Sequence, residues 1–215
     1  MTNLKTAFLS FELNEKSPVY GGKDVKLKIK KTSQIKKGKT SNNLHLSLPN
    51  HFGTHIDFPR HFSDEGKTLS NYPASFWIFN KVGFLECSID KVPDMIDNLD
   101  SSIEILILKT GFGQNRGKEV YWKNQPVVPA YYASLFKNQF PNIRVFGFDM
   151  ISLTSLNDKE EGKKAHINFL INHDILILED MNLNTLNTVP DTIILSPLQI
   201  ENADGVPCTV IANFD

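Results

Sequence analysis

Four short, nearly unbroken apolar runs limit most tightly what this chain can fold into: residues 105–108 (Ile-Leu-Ile-Leu), Val145–Phe148, 175–178 (Ile-Leu-Ile-Leu) and 193–195 (Ile-Ile-Leu). A strand with one wet face alternates apolar and polar side chains. A run that is apolar at every position buries both faces, as strands do in a parallel or mixed sheet covered by helices. Between these runs lie two helix-compatible segments, 130–138 and 160–172, so the spacing predicts βαβ connections. The earlier part of the chain has a different texture. Residues 7–13 and 25–35 alternate, the second as Val25, Leu27 and Ile29, which predicts antiparallel strands with one wet face. Ser17 to Gly22 punctuates them as a turn, and the lysines from Lys23 to Lys39 read as a solvated strand face. Leu44, Leu46 and Leu48 alternate with His45 and Ser47, so their shared face is predicted to join the core; 82–85 reads as a further strand, and Phe76 and Trp77 as packing. The expectation is an α/β protein with an antiparallel front half and an α/β back half. Residues 111–129, with two prolines, are too long for a plain connection and are expected to cover a site.

A length of 215 residues suits one domain spanning 1–215. The 23 basic and 24 acidic residues give a formal charge of -1, so no global field draws the chain to nucleic acid or to an anionic membrane. No run approaches the roughly 18 apolar residues of a membrane span, and the first residues lack a signal-peptide pattern. Cys87 and Cys208 stand far apart with no paired spacing and read as buried thiols. A cytoplasmic protein is expected, acting on a small molecule.

The chemistry is concentrated in residues 51–61, His-Phe-Gly-Thr-His-Ile-Asp-Phe-Pro-Arg-His, where three of the six histidines and an aspartate fall within eleven residues. Imidazole nitrogen and carboxylate oxygen are ordinary ligands for zinc, manganese or iron, and a mixed set leaves room for water. In an extended segment His51, His55 and Asp57 share one face. A straight strand would hold the Cα atoms of His51 and His55 about 13 Å apart, at roughly 3.3 Å per residue, which is near the limit for sharing one ion. The segment is therefore expected to bend at Gly53, through a bulge or a φ forbidden to its neighbours. Thr54 and Ile56 favour a strand, and Pro59 opposes a helix.

Other polar residues end the apolar runs. Glu179 sits where ligands gather, outside the carboxyl end of a strand, and His166 lies in the preceding helix, able to converge with it after the chain reverses. Asp149 reads as a carboxylate that satisfies backbone donors in the turn before Ser152, His45 as an exposed strand residue, and His173 as a surface residue of a helix-to-strand turn. No GxSxG nucleophile elbow is present, which argues against an acyl-serine route.

The stretch from His51 to Phe62 resembles the HxGTHxDxPxHF signature of the metal-dependent cyclase superfamily, which includes bacterial kynurenine formamidase and isatin hydrolase. Further similar passages are Ser17-Pro-Val-Tyr-Gly21, Leu108-Lys-Thr-Gly111, Gly147-Phe-Asp-Met-Ile-Ser152, Ala165-His166, Ile177-Leu-Glu179, Pro197-Leu198 and Ala203-Asp-Gly-Val-Pro207. The resemblance implies a swivelling β/β/α fold, α/β in class, with a mixed, barrel-like sheet flanked by helices, usually dimeric, with sites near the subunit interface. It implies that His51, His55 and Asp57 bind a divalent metal, zinc first and manganese as the alternative. Asp57 would bridge two ions in the binuclear form completed by His166 and Glu179, so one or two ions per chain are expected. His61 is implied as the nearby non-ligand histidine that handles protons. The implied reaction is hydrolysis of a C–N amide bond in a small aryl formamide or cyclic amide. Ring opening of a lactone and metal binding without catalysis are the alternatives. Three departures stand out: Gly21-Gly22 in place of a Gly-Asp, Thr209 where relatives carry arginine, and an interval from His166 to Glu179 that is a residue longer than in the formamidases.

Overall fold

The computed structural model describes residues 5–22 and 26–214. Eleven strands follow in chain order: β1 (Lys5–Phe8), β2 (Lys28–Ser33), β3 (Asn43–Ser47), β4 (His55–Asp57), β5 (Ile78–Phe79), β6 (Val82–Glu86), β7 (Ile105–Lys109), β8 (Val145–Phe148), β9 (Leu176–Glu179), β10 (Thr192–Pro197) and β11 (Gly205–Phe214). Four helices accompany them: α1 (Val92–Met95), α2 (Val120–Lys123), α3 (Tyr132–Gln139) and α4 (Lys159–His166), the last continued by a π-helical turn, Ile167–Asn172. α4 begins at Asp158, whose carboxylate accepts the Glu161 amide at 3.0 Å and so satisfies one of the free donors of the first turn.

Nine strands form one mixed sheet in the order β5-β10-β11-β4-β9-β8-β7-β6, with β1 added to β11. The two edge strands, β5 and β6, are separated in the chain by Asn80 and Lys81 alone, so the sheet curls until its edges almost meet. Arg144 spans this seam: its guanidinium donates to the carbonyls of Phe76 at 2.7 Å and Ile78 at 3.3 Å, pairs with Glu104 and lies 4.4 Å from the centre of the Phe79 ring. The result is the mixed, barrel-like α/β sheet that the resemblance implies.

β6, β7, β8 and β9 run parallel, and all five residues of β7 are buried, as the continuous apolar runs predict. Phe136 of α3, Phe146 of β8 and Phe169 of the π-turn pack together, with ring centres 5.0 and 5.4 Å apart, and fix the helices on the sheet. The two helix-compatible segments are helical, and Trp77 and Phe76 belong to the core. The run at 193–195 differs from the other three. β10 pairs antiparallel with both β5 and β11 and buries alternate residues, so the last part of the chain returns to antiparallel pairing.

The early strands need correction. β1 ends at Phe8, and the start of the strand read over 25–35 lies partly outside the described residues. β2 and β3 pair only with each other, and their apolar face is not core: Leu44 is 57% and Leu46 55% exposed. Alternation shows which residues share a face. It does not show whether a second layer covers that face, and among the described residues none does.

Candidate metal centre

The sheet assembles the site through its register. β4 lies between β9 and β11, with His55 opposite Glu179, and Asp57 opposite Gly205. Cross-strand partners project to the same side, so His55, Asp57 and Glu179 share one face, and Gly205 leaves that face bare next to Asp57. The imidazole of His51 fills the bare place. It reaches there because Gly53 adopts φ +64°, the left-handed conformation that the sequence predicts for the bend. A Cβ on Gly205 would lie 2.3 Å from Cε1 of His51 and 2.8 Å from each ring nitrogen. Gly205 has no positive φ, so alanine suits its backbone and only the His51 ring must move. Gly205→Ala is therefore expected to leave the denaturation midpoint almost unchanged and to weaken ion binding at least about tenfold, as loss of a ligand's supporting contacts does. Titration calorimetry of the folded variant reads this directly, and wild-type affinity would refute it.

His166 arrives from the other side, at the last residue of α4. Its Nε2 lies 3.7 Å from Asp57 Oδ2 and 3.6 Å from Glu179 Oε1. Asp57 Oδ1 faces His51 Nδ1 at 2.8 Å and His55 Nε2 at 3.4 Å, and Glu179 Oε2 lies 3.3 Å from the same His55 nitrogen. Two overlapping donor groups result, His51/His55/Asp57 and Asp57/His166/Glu179, with the donor atoms in each within 4.8 Å of one another. Asp57 belongs to both and turns one oxygen to each. The second nitrogens are fixed from behind: His55 Nδ1 donates to the Gly53 carbonyl and His166 Nδ1 to the Gly162 carbonyl, both at 2.8 Å. That arrangement sets the tautomer and aims Nε2 at the carboxylates, as in histidines that ligate metal. Glu179 is held by the Leu153 amide and the Ser152 hydroxyl.

The electrostatics record the same crowding. Burial alone would lower the imidazole pKa values, but the facing carboxylates outweigh it, raising His51 and taking His55 to about 9 and His166 to about 10. Burial would raise Asp57 and Glu179, and Asp57 also repels Glu179; even so, the imidazoles hold both below the usual carboxylate range. Three imidazoles and two carboxylates converge, all buried except the half-buried His51, and are a donor set that fits a divalent ion of the zinc or manganese type.

Sequence reasoning missed Asp204. Its Oδ2 lies 3.1 Å from both His51 Nε2 and His61 Nδ1, and its Oδ1 accepts from Asn50, so one carboxylate ties a candidate ligand to His61. The histidines, in turn, hold its pKa below the ordinary value against the effect of burial. The available signal was an Asp-Gly step ahead of the alternating Val206, Cys208, Val210 and Ala212, a strand pattern interrupted only by the ring of Pro207. His61 follows the 3₁₀ turn begun by Pro59 and is not among the two groups centred on Asp57, although it forms a third with His51 and Asp204.

These residues line a cavity of about 440 Å³ whose wall includes Pro18, Val19, Tyr20, Pro49, Phe62 and Ile151. His45 stays exposed on β3; Asp149 does satisfy backbone donors, but they are the amides of Thr110, Gly111 and Gly113 in the loop after β7 and not those of the turn before Ser152. The segment 111–129 does not cover the cavity; none of its residues lines it. It buttresses the site from behind. Gln125 donates to the carbonyls of Ser152 and Thr154, and Tyr121 and Arg116 both bind Asp180, which follows Glu179 in a left-handed conformation at φ 52°. Arg116→Met would leave Asp180 buried without its cation and is expected to cost about 3–5 kcal/mol. Removing the exposed Lys67–Asp174 pair should cost at most about 1 kcal/mol. Urea denaturation of the two variants checks the contrast, and equal losses would refute it.

A family model described as a putative cyclase matches residues 8–154. A kynurenine formamidase of Bacillus cereus is 33% identical over 172 residues, covering 77% of each chain. Among solved structures, isatin hydrolase A from Labrenzia aggregata bound to benzyl benzoate superposes with a TM-score of 0.82 at 20% identity, covering 98% of this chain and 93% of the other. A protein from Bacillus stearothermophilus described as a predicted metal-dependent hydrolase does so at 0.75 and 17%, covering 99% of each. With well over half its length matched by the family model and a relative above 30% identity, this chain belongs to the cyclase family.

Proposed function

We propose that the chain is a metal-dependent hydrolase that cleaves the C–N bond of a small aryl formamide or cyclic amide. His51, His55 and Asp57 would hold one divalent ion, and Asp57, His166 and Glu179 would hold a second in a binuclear form. The observation that carries this reading is the convergent five-donor set, four of its members buried, opening on a cavity beside a histidine that Asp204 already holds. The likeness to a kynurenine formamidase, and in fold to isatin hydrolases, supports the bond type. A divalent ion there supplies Lewis acidity, polarising a carbonyl and acidifying a water. The chain's own groups do the rest. With Nδ1 of His61 taken by Asp204, Nε2 is the nitrogen left to accept a proton from water and return it to the leaving nitrogen. Tyr20 also lines the cavity, and burial and the charge of Glu179 raise its pKa, which favours the neutral phenol.

Metal analysis followed by a panel of formanilides, N-formylkynurenine, isatin and lactones tests the proposal. The expected result is stoichiometric zinc or manganese and hydrolysis of at least one C–N substrate that stops on chelation. Failure to take up either ion, or inertness of the loaded protein toward the whole panel, would overturn it.

A further inference from the structure

We propose that this site selects uncharged aryl amides and lactams and discriminates against those carrying a carboxylate, an inference that rests on the hydrolase reading of the same cavity. With the reacting amide turned to the donor set, the remainder of a small substrate meets Pro18, Val19, Pro49, Phe62 and Ile151, with the Tyr20 ring beside them. The charged groups in the lining are acidic or histidine: Asp57, Glu179 and Asp180 are there, and among the described residues no lysine or arginine lines the cavity.

The guanidinium that touches the lining is already engaged. Arg116, itself outside the lining, gives Nε and Nη2 to Asp180 at 2.9 and 2.8 Å and lies 3.8 Å from the centre of the Phe11 ring. His61 is likewise paired with Asp204. The charge of bound ions would lie at the donor set, where the reacting amide sits, and Arg116 balances Asp180, so among the described residues no lysine or arginine adds a positive charge along the apolar wall. A substrate carboxylate pressed against that wall would lose its water without gaining a partner, a loss that buried charges cannot bear cheaply. An uncharged ring meets a largely apolar wall whose neutral polar members are Tyr20, Asn50, Ser152 and Thr154.

Binding, read separately from turnover, tests this. Titration calorimetry of the metal-loaded full chain would compare two matched pairs: formanilide with meta-formamidobenzoate, and isatin with an isatin bearing a ring carboxylate away from the amide. The neutral member of each pair is expected to bind at least about tenfold more tightly, a difference of about 1.4 kcal/mol. Equal or tighter binding of the carboxylates, or no binding of the neutral members, overturns the inference. Hydrolysis is scored in the same samples. If nothing is turned over, the hydrolase reading fails while the ratio of dissociation constants still decides the selectivity.

Discussion

Replacing Asp57 by asparagine is expected to remove bound metal and hydrolysis together. The side chain keeps its size, and the backbone keeps its pairing with Gly205 and Ile177, so the sheet is undisturbed. What changes is the charge at the point where both donor groups meet. Loss of a supporting contact behind a ligand already costs about 10–100-fold in affinity, and loss of a shared ligand should exceed about 100-fold. The effect falls on both groups at once, whereas His166→Ala would leave His51, His55 and Asp57 intact. Metal content after dialysis, with circular dichroism to establish folding, gives the answer. A folded Asp57→Asn protein with full metal would end the assignment.

His61→Ala should behave in the opposite sense. Metal content stays at the wild-type level, while kcat falls by about 100- to 10,000-fold, the usual loss when a positioned proton carrier is removed. Added imidazole should restore part of the rate, because the space left lies on the cavity and next to Asp204. An undiminished rate would exclude the proton-transfer role. Loss of metal instead would mean that His61 binds an ion through its group with His51 and Asp204.

The site was legible in the sequence where its parts are local. His51, His55 and Asp57 lie within seven residues, and the need for a bend between the histidines pointed to Gly53, whose φ is +64°. Glu179 could be placed at a strand end because the run before it is apolar at every position. Asp204 was not legible as a site residue. Its contacts reach back 143 and 153 positions to His61 and His51, and only the pairing of β11 with β4 brings them together. The fold divides along the same line. Continuous runs identified β7, β8 and β9 as buried parallel strands, whereas the seam beside Arg144 and the bare face of β2 and β3 depend on how the sheet curls, which no local pattern records. The segment 111–129 was recognised as too long to be idle, but its direction was wrong: Arg116, Tyr121 and Gln125 face the back of the site.

The π-helical turn after α4 bears on how such a site can be altered by insertion and deletion. Here the His173 amide reaches back five residues to the Asn168 carbonyl, at 3.1 Å, so the turn holds one more residue than an α-helical turn of the same span. His166 stands immediately before it and Glu179 after it. A widened turn stores the surplus residue as a local bulge, while Phe169 and Leu170 keep the segment buried against the sheet. The count of residues between these two donors can therefore drift while their positions in space stay fixed. A residue gained or lost in this interval would then be taken up by the width of the turn rather than by a shift of either donor.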